Sequence, residues 1–380
     1  MSEKILWVCS DLPYPPTHGG RVDMWQRIKK ASELNYSIDL IVTVKEREQL
    51  SDVICSLVDN VYIVNRDTGL RSFLNFKPYQ IKSRKLLKRI DLNNKNYNLL
   101  VLESEYVYEI LNNKTFSHNK ISVRIHNNER RYFLGLAKAE KNIFKKIFYI
   151  FESFKFLFFS IFFTRKFDNY LFISEKEYRL SDSYLGKSKN KYFHPTPFVD
   201  KCNYVEKKKF NVLFISSFFM VNNQEAIFWY LNKVHPQLSQ YDDYNFILVG
   251  NDKNVSENFF DNLSKYKKVK VFRSPSDLDT FYKESMIFIN PMQNGAGVKL
   301  KTINAVEFGL PIVSTTVGSE GTNLRPEIDF LLANNPDEFC NSILKLYKNH
   351  DLRKSFVFNS KERLAANDTT ISQIKQILLD

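Results

Sequence analysis

The chain has 380 residues, of which 43% are hydrophobic, so it can form a packed core and is long enough that we expect two domains. Its 55 basic and 42 acidic residues give a formal charge of +13, which favours phosphorylated substrates, nucleic acid or an anionic membrane surface without choosing among them. The alternative interpretation is a compositional bias spread along the whole chain, because Lys, Asn, Ile, Phe and Tyr are all abundant.

Cysteine spacing and the length of apolar runs argue against several other classes of protein. The 4 cysteines lie far apart with no Cys/His ligand spacing, which predicts neither a zinc site nor a disulfide framework and favours a reducing compartment. The longest uncharged apolar run, Phe156 to Thr164, is well short of the roughly 20 residues that span a bilayer. The opening MSEKILWVCS predicts a first core strand rather than a signal peptide. We therefore expect a cytoplasmic protein.

Short apolar runs recur through the first half of the chain and alternate with helical or polar segments. This pattern predicts one doubly wound domain around a parallel sheet with crossover connections. The predicted strands are Ile5–Cys9, Ile38–Val44, Val61–Val64, Leu99–Leu102, Ile121–Ile125 and Tyr170–Ile173. The two prolines and the charge run of His194–Lys209 then predict a linker between domains.

The same alternation restarts after the linker and predicts a second, similar domain. Its predicted strands are Val212–Ile215, Phe246–Gly250, Val269–Phe272, Met286–Asn290 and Pro311–Ser314. Asp337–Lys348 and Leu352–Ala365 have helical spacing, and Ser372–Leu379 predicts a terminal helix that returns toward the first domain. We place the domains at residues 1–200 and 201–360, with the terminal helix in 361–380. Ligands of such sheets bind at the carboxyl ends of the strands, here on either side of a cleft.

The stretch Asn290–Gly321 carries the strongest functional signal. A buried strand at Met286–Asn290 is followed by a Gly-rich turn, and Val298–Phe308 then has helical spacing. This order is typical of phosphate sites, because glycines let the backbone approach closely and a helix N-terminus offers unpaired N–H groups. Lys299 and Lys301 would add positive charge beside the anion. The alternatives are close strand–helix packing and a solvated lysine face.

The run GAGVKLKTINAVEFGLPIVSTTVGSEGTN closely resembles the donor-binding motif of glycosyltransferase family 4, whose members are retaining enzymes of the GT-B fold. The family pattern is G-x-G-x-K-x-K, an acidic helix position, G-x-P-V-V and a later G-x-E-G, and roughly 30 residues match it in order and spacing. The resemblance implies an α/β GT-B fold, with two doubly wound Rossmann-like domains that face a central cleft and with C-terminal helices. It also implies that the N-terminal domain binds the acceptor and that the C-terminal domain binds the nucleotide sugar.

Weaker matches lie in the first domain. The loop PYPPTHGG, which ends in Gly19 and Gly20, resembles the family's first glycine loop, whose backbone faces the donor diphosphate; the alternative is a simple turn. The segment Val123–Glu129 resembles the family's His-containing turn near the donor sugar. This makes His126 the predicted active-site residue, and the alternative is an imidazole that caps the end of a strand.

The sequence departs from the family at its acidic positions. The two glutamates that many members carry fall at Ala296 and Asn304. We expect the turn amides of Gly295 to Gly297 to replace the first, and the Asn304 amide to bind a ribose hydroxyl without charge. Glu307, one helical turn later, is an alternative acid, although a solvated helix position is the favoured interpretation.

A basic pair of the family is missing as well. The segment FISSFFMVNNQEAIFW resembles a family segment of strand, turn, Asn and helix, but it has Ser216, Ser217 and Asn223 where many members bind the diphosphate with a Gly-Arg turn and a lysine. This leaves Lys299 and Lys301 as the predicted phosphate ligands.

We therefore predict a glycosyltransferase that moves a sugar, with retention, from a nucleotide-sugar donor to a glycan or lipid-linked acceptor in surface polysaccharide or lipopolysaccharide biosynthesis. His126 would contact the donor sugar or orient the acceptor hydroxyl. The predicted donor-binding residues are Gly19, Gly20, Gly295, Ala296, Gly297, Lys299, Lys301 and Asn304. No DxD-type motif is evident, so we expect protein groups to stabilise the leaving group and predict no metal or other cofactor.

Two other functions are compatible with parts of the sequence. Asn304 and Ser217 motivate a catalytically silent GT-B module that binds a nucleotide sugar or a partner enzyme. A nicotinamide- or nucleic-acid-binding protein is disfavoured, because no G-x-G-x-x-G follows the first strand and no aromatic-basic recognition motif stands out.

The segment Asn142–Arg165 is dense in phenylalanine and flanked by lysines. It predicts a helix that rests in a membrane interface next to a lipid-linked acceptor, which would place the protein on the inner face of the cytoplasmic membrane. The alternative is a helix buried against the first domain, with Lys145, Lys146, Glu152 and Lys155 on its solvated side.

Overall fold

A computed structural model gives the fold. It describes residues 3–16, 19–46, 50–69, 75–140, 142–162, 166–185, 190–253, 255–295 and 297–379. The chain forms two compact units, of which the first comprises Met1–Pro197 and Asp368–Asp380 and the second comprises Phe198–Asn367.

The first unit is built on a seven-stranded parallel sheet with the strand order β3-β2-β1-β4-β5-β6-β7. The strands are β1 (Lys4–Cys9), β2 (Ser37–Val44), β3 (Asn60–Asn65), β4 (Lys95–Glu103), β5 (Phe116–Ile125), β6 (Asn169–Phe172) and β7 (Asn190–Phe193). The six predicted strands are all present. The seventh, β7, is a polar edge strand with the sequence NKYF and carries too little apolar pattern to be predicted.

Helices cover both faces of this sheet. They are α1 (Gly19–Ser32), α2 (Asp52–Cys55), α3 (Tyr79–Lys82), α4 (Glu129–Ala139), α5 (Ile143–Phe162), α6 (Glu175–Leu180) and α7 (Asp182–Leu185), with 3-10 helices at Lys85–Arg89 and Glu105–Asn112. Helix α1 buries Met24, Ile28 and Ala31, whose spacing places them on one helical face against β1 and β2. The long apolar runs of β1 and β2 follow from burial on both faces.

The second unit has a six-stranded parallel sheet with the order β10-β9-β8-β11-β12-β13. Its strands are β8 (Asn211–Ile215), β9 (Asn245–Gly250), β10 (Val269–Arg273), β11 (Ile287–Asn290), β12 (Ile312–Ser314) and β13 (Leu331–Leu332). Its helices are α8 (Val221–Lys233), α9 (His235–Leu238), α10 (Glu257–Ser264), α11 (Asp279–Glu284), α12 (Leu300–Glu307), α13 (Pro336–Lys348) and α14 (His350–Asn367). The predicted α/β class with two doubly wound sheets is confirmed.

Helix α5 is buried on one side only. Glu152, Phe156 and Phe159 face the first unit's core, and the Glu152 carboxylate accepts from the Tyr79 N–H at 2.8 Å and from Lys155 at 2.8 Å. The alternative of a helix buried against the first domain agrees with this packing, but its placement of Glu152 on the solvated side is wrong. The hydrogen bond from the start of α3 explains why this acid points inward.

The terminal helix α15 (Thr370–Leu379) packs on the first unit, so the chain ends in the unit where it began. Ile374 and Ile377 are buried among the β1, β2 and α1 side chains. Two hydrogen bonds fix the helix at its sides, because Gln373 Nε2 donates to the Phe193 carbonyl at 2.7 Å and Lys120 Nζ donates to the Leu378 carbonyl at 3.2 Å.

Truncation of Ile374 tests how much α15 contributes to the stability of the first unit. Ile374→Ala should lower the free energy of unfolding by about 2–5 kcal/mol, because it leaves a cavity beneath the helix. The matched control is Ile371→Ala, since Ile371 on the same helix is 36% exposed. Urea unfolding followed by tryptophan fluorescence measures both variants; equal midpoints would show that α15 adds little.

Candidate functional site

The functional edge of the first unit is held by two buried ion pairs. In the first, Arg124 in β5 contacts the Asp23 carboxylate of α1 with both Nε, at 3.0 Å, and Nη2, at 2.8 Å, and neither side chain is exposed. Thr196 Oγ1 donates to the same carboxylate at 2.7 Å, and Arg124 Nη1 donates to the His194 carbonyl. His194 and Thr196, which the sequence assigned to a linker, therefore bond to this ion pair.

The second pair joins α1 to the end of β4. Arg27 Nη1 donates to Glu103 Oε1, which also accepts from the Trp7 indole N–H at 2.8 Å. The Arg27 guanidinium lies 5.4 Å from the centre of the Trp7 ring. Among the described residues, Glu103 Oε2 has no hydrogen-bond partner although it is buried, so within that part of the chain this acid keeps one free acceptor atom.

His126 lies beside this free carboxylate oxygen. It follows the last residue of β5, and its Nε2 atom is 4.0 Å from Glu103 Oε2 while 21% of its side chain remains exposed. Burial lowers the pKa of His126 below the ordinary imidazole value, which favours the neutral form at pH 7. A neutral, partly exposed imidazole next to a carboxylate can accept a proton from a hydroxyl group.

The residues Asp23, Glu103 and His126 each offer one atom within 4.8 Å of the others, a spacing that a metal ion would accept. However, each carboxylate already has a buried arginine partner, and a divalent ion would be repelled by those guanidinium groups. These three residues therefore fit two ion pairs beside His126 better than they fit a metal site.

Gly19 and Gly20, the predicted glycine loop, form the first turn of α1. Gly19 stands four residues and Gly20 three residues before Asp23 on the same helix, so both lie at its amino end. Their predicted contact with a donor diphosphate stays a prediction.

In the second unit, the two predicted lysines converge on the carboxyl ends of the strands. Lys301 Nζ donates to Asn223 Oδ1 at 3.0 Å and lies 4.7 Å from the centre of the Phe214 ring of β8. Burial, with a smaller effect of the Lys299 charge, lowers the pKa of Lys301 to about 7. Asn223, which the resemblance places in a diphosphate-binding segment, thus contacts Lys301 directly.

Lys299 stands at the N-terminus of α12 with only 5% of its surface exposed. Its Nζ atom donates to the Gly297 carbonyl at 2.6 Å and is 3.8 Å from Glu320 Oε2. Among the described residues, no side chain caps the start of α12. The first N–H groups of this helix therefore lie beside two lysine side chains, an arrangement that suits an anion.

A neutral polar clamp holds this turn in place. Asn290, the last residue of β11, donates through Nδ2 to Thr302 Oγ1 at 2.9 Å and to the Gly318 carbonyl at 2.8 Å. A Cβ atom at Gly318 would lie 2.3 Å from the Asn290 carbonyl oxygen, so only glycine fits there. Gly295 has φ +133°, which other residues rarely adopt. These contacts explain the glycines of the motif as determinants of the shape of the turn.

The acidic positions differ from the expectations. Glu307 is fully buried: its carboxylate contacts Lys201 Nζ at 2.9 Å and accepts from the Val199 N–H at 3.3 Å. The interpretation of Glu307 as a solvated helix residue is therefore wrong, because the segment after Pro197 covers that face of α12. Asn304 is half-buried and interacts with the Tyr282 hydroxyl. Ala296 lies outside the described residues.

The structure also identifies residues that the sequence patterns did not indicate. Asp23, Glu103 and Arg124 belong to three different elements and meet only in the fold. The signal available in the sequence was the charge of Glu103 and Arg124 within or directly at the end of apolar strands, where charged residues are rarely buried without partners.

Comparison with known proteins agrees with this geometry. Residues 209–349 match the family model of glycosyl transferases group 1. Over 373 residues the chain is 39% identical to an uncharacterized 44.6 kDa protein in the cps region of Klebsiella pneumoniae, with 94% of each chain covered.

Solved structures with much lower sequence identity share the fold. Sucrose-phosphate synthase from Thermosynechococcus elongatus has a TM-score of 0.68 and 14% identity, with 99% of this chain and 98% of that chain covered. The pneumococcal O-GlcNAc transferase GtfA, in complex with UDP and GlcNAc, has a TM-score of 0.65 and 12% identity over 100% of this chain and 99% of that one. HepE from Anabaena, in complex with UDP and glucose, has a TM-score of 0.65 and 11% identity over 99% of both chains.

The fold and the group 1 match together define a glycosyltransferase of the GT-B type, and the predicted fold is confirmed. The chain belongs to the same family as the cps-region protein of Klebsiella pneumoniae.

Replacing Asp23 tests the buried ion pair. Asp23→Asn should lower the free energy of unfolding by about 3–5 kcal/mol, because it leaves the Arg124 charge buried without a carboxylate. The control is Glu175→Gln, which removes an exposed pair with Arg179 and should cost about 1 kcal/mol or less.

Acid titration gives a second readout of the same pair. Burial raises the pKa of Asp23, but the Arg124 charge outweighs it and the pKa lies below the ordinary value. The stabilisation is therefore complete above the unfolded-state pKa of about 3.9 and is lost as the pH falls through the lower folded-state pKa. Urea midpoints of Asp23→Asn that fall as steeply as those of the unmodified protein below pH 4 would contradict this assignment.

Proposed function

We propose that the protein transfers a sugar from a nucleotide-sugar donor to a glycan or lipid-linked acceptor in the synthesis of a surface polysaccharide, with retention of configuration, as an enzyme of glycosyltransferase family 4. The observation that carries the proposal is the convergence of Lys299 and Lys301 at the uncapped start of α12, inside the group 1 segment. The location of the Klebsiella pneumoniae relative in a cps region supports a role in polysaccharide synthesis.

The donor diphosphate fits the chemistry of the second unit. Departure of a nucleoside diphosphate leaves negative charge on phosphate oxygens, and positive groups fixed in advance stabilise that charge most effectively. Lys299, Lys301 and the first amides of α12 supply such groups, while Ser216 Oγ is a buried hydroxyl without a protein partner at the end of β8. Asn304 would bind the ribose through its amide. This set stabilises the leaving group without a divalent ion.

In the first unit, His126 would act on the reacting hydroxyl or the donor sugar. Its neutral imidazole can hold a proton transiently, and Glu103 Oε2 at 4.0 Å can stabilise the charged form. Arg27 and Trp7 orient Glu103, so they are positioning residues in this proposal.

Nucleotide binding tests the donor site. UDP or GDP should raise the melting temperature, and Lys301→Met should weaken binding at least tenfold, because charge-assisted hydrogen bonds contribute about 1.5–3 kcal/mol each. In the free protein Lys301 loses its charge above pH 7, so the affinity of the unmodified protein should fall from pH 7 to pH 9. In Lys301→Met this decline should be reduced. The matched control is Lys345→Met, at an exposed lysine of α13.

Turnover separates the enzyme from the silent module. Release of UDP or GDP from a nucleotide sugar should require an acceptor extract, continue in EDTA and fall strongly in His126→Ala. Nucleotide binding without release in any extract would favour the silent module that Asn304 and Ser217 motivate. If no nucleotide binds, both functions are wrong.

The same proposal includes association with an anionic membrane surface through α5. The solvent-facing side of this helix carries a continuous apolar stripe with one large residue per turn, formed by Phe144, Ile147, Phe151, Phe154, Phe158 and Ile161. These residues are between 44% and 80% exposed, and at 1.5 Å per residue the helix is about 30 Å long. A patch of this size on a protein with a charge of +13 fits an anionic lipid surface. Among the described residues, we find no helix with the length and hydropathy that a bilayer span requires.

Sedimentation with vesicles of phosphatidylglycerol and phosphatidylethanolamine tests this surface. Phe158→Ser should weaken vesicle binding about tenfold, since a buried phenylalanine contributes about 1.5–3 kcal/mol. The matched control is Phe358→Ser, because Phe358 is 64% exposed on α14 of the second unit. Equal binding by the two variants would exclude α5 as the contact, and self-association without vesicle binding would indicate a second copy of the chain as its partner.

A further inference from the structure

A second pair of positive charges lies at the carboxyl ends of the first unit's strands. Arg66 directly follows β3, and Arg84 lies between α3 and the 3-10 helix Lys85–Arg89. The two guanidinium groups are close enough to affect each other, because burial and the charge of Arg66 lower the pKa of Arg84 to about 9. Burial lowers the pKa of Arg66 as well.

Arg84 differs from the other buried arginines that the structure describes. Arg21, Arg27, Arg124 and Arg353 each have a carboxylate oxygen within 3.8 Å. Arg84 is only 3% exposed, yet its described contacts are neutral: it donates to Thr43 Oγ1 at 2.9 Å, to the Gln80 carbonyl at 2.6 Å and to the Ser10 carbonyl at 2.6 Å. Burying a charge without a counter-ion is costly, so Arg84 in this position lowers the stability of the folded protein.

Arg66 has the same deficit of negative charge. Its Nη2 atom donates to Gln80 Oε1 at 3.0 Å and to Ser83 Oγ at 3.3 Å. Its Nε atom donates to Ser83 Oγ at 3.4 Å, so all of these acceptors are neutral. Within the described part of the chain its Nη1 atom meets no acceptor. Asp11 is a carboxylate whose charge raises the pKa of Arg66, but this carboxylate already accepts from Arg21 at 2.9 and 3.1 Å.

This pair stands on the same edge of the sheet as His126. The Ser10 carbonyl that accepts from Arg84 follows Cys9, and Cys9 lies opposite Glu103 in the register of β1 and β4. On its other side, the Arg84 guanidinium lies 5.4 Å from the centre of the Tyr106 ring, and the Tyr106 hydroxyl donates to Glu129 Oε2 at 2.5 Å. Glu129 is the first residue of the helix that follows His126. An extended ligand at His126 can therefore reach the arginines.

We propose that Arg66 and Arg84 bind a phosphate or diphosphate group of the acceptor substrate. Guanidinium groups bind phosphate oxygens in a bidentate geometry, and a group with two negative charges neutralises both side chains. The assignment of this group to the acceptor rests on the proposed function. The anion site itself depends only on the contacts of the two arginines. A lipid-linked diphosphate and a soluble sugar phosphate share the required chemistry.

Calorimetric titration of the full-length chain with inorganic pyrophosphate tests the site. Lys301→Met serves as the background, so that the donor site competes less for the probe. In this background, Arg66→Gln should weaken pyrophosphate binding at least tenfold, whereas Arg130→Gln, at an exposed arginine of α4, should leave it unchanged. Because Arg84 is buried, Arg84→Lys is the second variant; it keeps the charge, loses the planar guanidinium group and should also weaken binding.

The outcomes separate this inference from the proposed function. The anion site would be overturned if Arg66→Gln left the affinity for pyrophosphate unchanged. It would also be overturned if the Lys301→Met background bound no pyrophosphate. Loss of pyrophosphate binding in Arg66→Gln by a protein that binds no UDP would keep the anion site and reject the transferase. Competition by farnesyl diphosphate or by glucose 1-phosphate distinguishes a lipid-linked from a soluble acceptor. An anion site that neither compound enters would overturn its assignment to the acceptor.

Discussion

The first unit depends on one helix that is tied to the sheet by two buried ion pairs. Helix α1 contributes Asp23 to the pair with Arg124 and Arg27 to the pair with Glu103, so its position is fixed against both β5 and β4. Taking these four charges out of water is costly, and the hydrogen bonds within and around the two pairs offset that cost, although Glu103 Oε2 and Arg27 Nε have no partner among the described residues. Since Thr196 bonds to Asp23 and His194 to Arg124, the chain beyond β7 is held by the same network.

In the second unit, neutral contacts hold the turn and Lys301, whereas Lys299 lies 3.8 Å from the Glu320 carboxylate. Asn290, Thr302 and Gly318 form a neutral clamp, and the ammonium group of Lys301 contacts an amide oxygen and an aromatic ring. A neutral clamp leaves the charge of the lysine uncompensated, which is why burial lowers its pKa to about 7. The two units thus use charge oppositely. In the first unit, paired charges lie beside the His126 imidazole, and in the second, the described contacts of the Lys301 ammonium group are all uncharged.

The strands could be predicted because an apolar run bounded by turns has few other interpretations. The polar edge strand β7 lacked such a run, and β13 comprises only the two residues Leu331–Leu332. The lysines of the second unit could be proposed as ligands from the sequence because they lie within one continuous motif. The network of the first unit was missed because its partners are far apart in sequence, with Arg124 and Asp23 separated by 101 residues and Arg27 and Glu103 by 76. Local spacing carries no information on such pairs. Glu307 was wrongly placed in solvent for the same reason, since the segment that covers it precedes α12 by about a hundred residues in the chain.

The departures from the family pattern are related to one another by charge. Where many members have two glutamates, this chain has Ala296 and Asn304, and where they have a Gly-Arg turn and a lysine, it has Ser216, Ser217 and Asn223. Loss of the acids alone would leave excess positive charge in a partly buried turn, and loss of the bases alone would place carboxylates beside a diphosphate. Their joint loss keeps the balance and concentrates the positive charge on Lys299 and Lys301. Since Glu307 is engaged by Lys201, it cannot restore the missing negative charge without breaking that ion pair. In the proposed function, a donor diphosphate at this turn would therefore be bound mainly by two lysines and backbone amides.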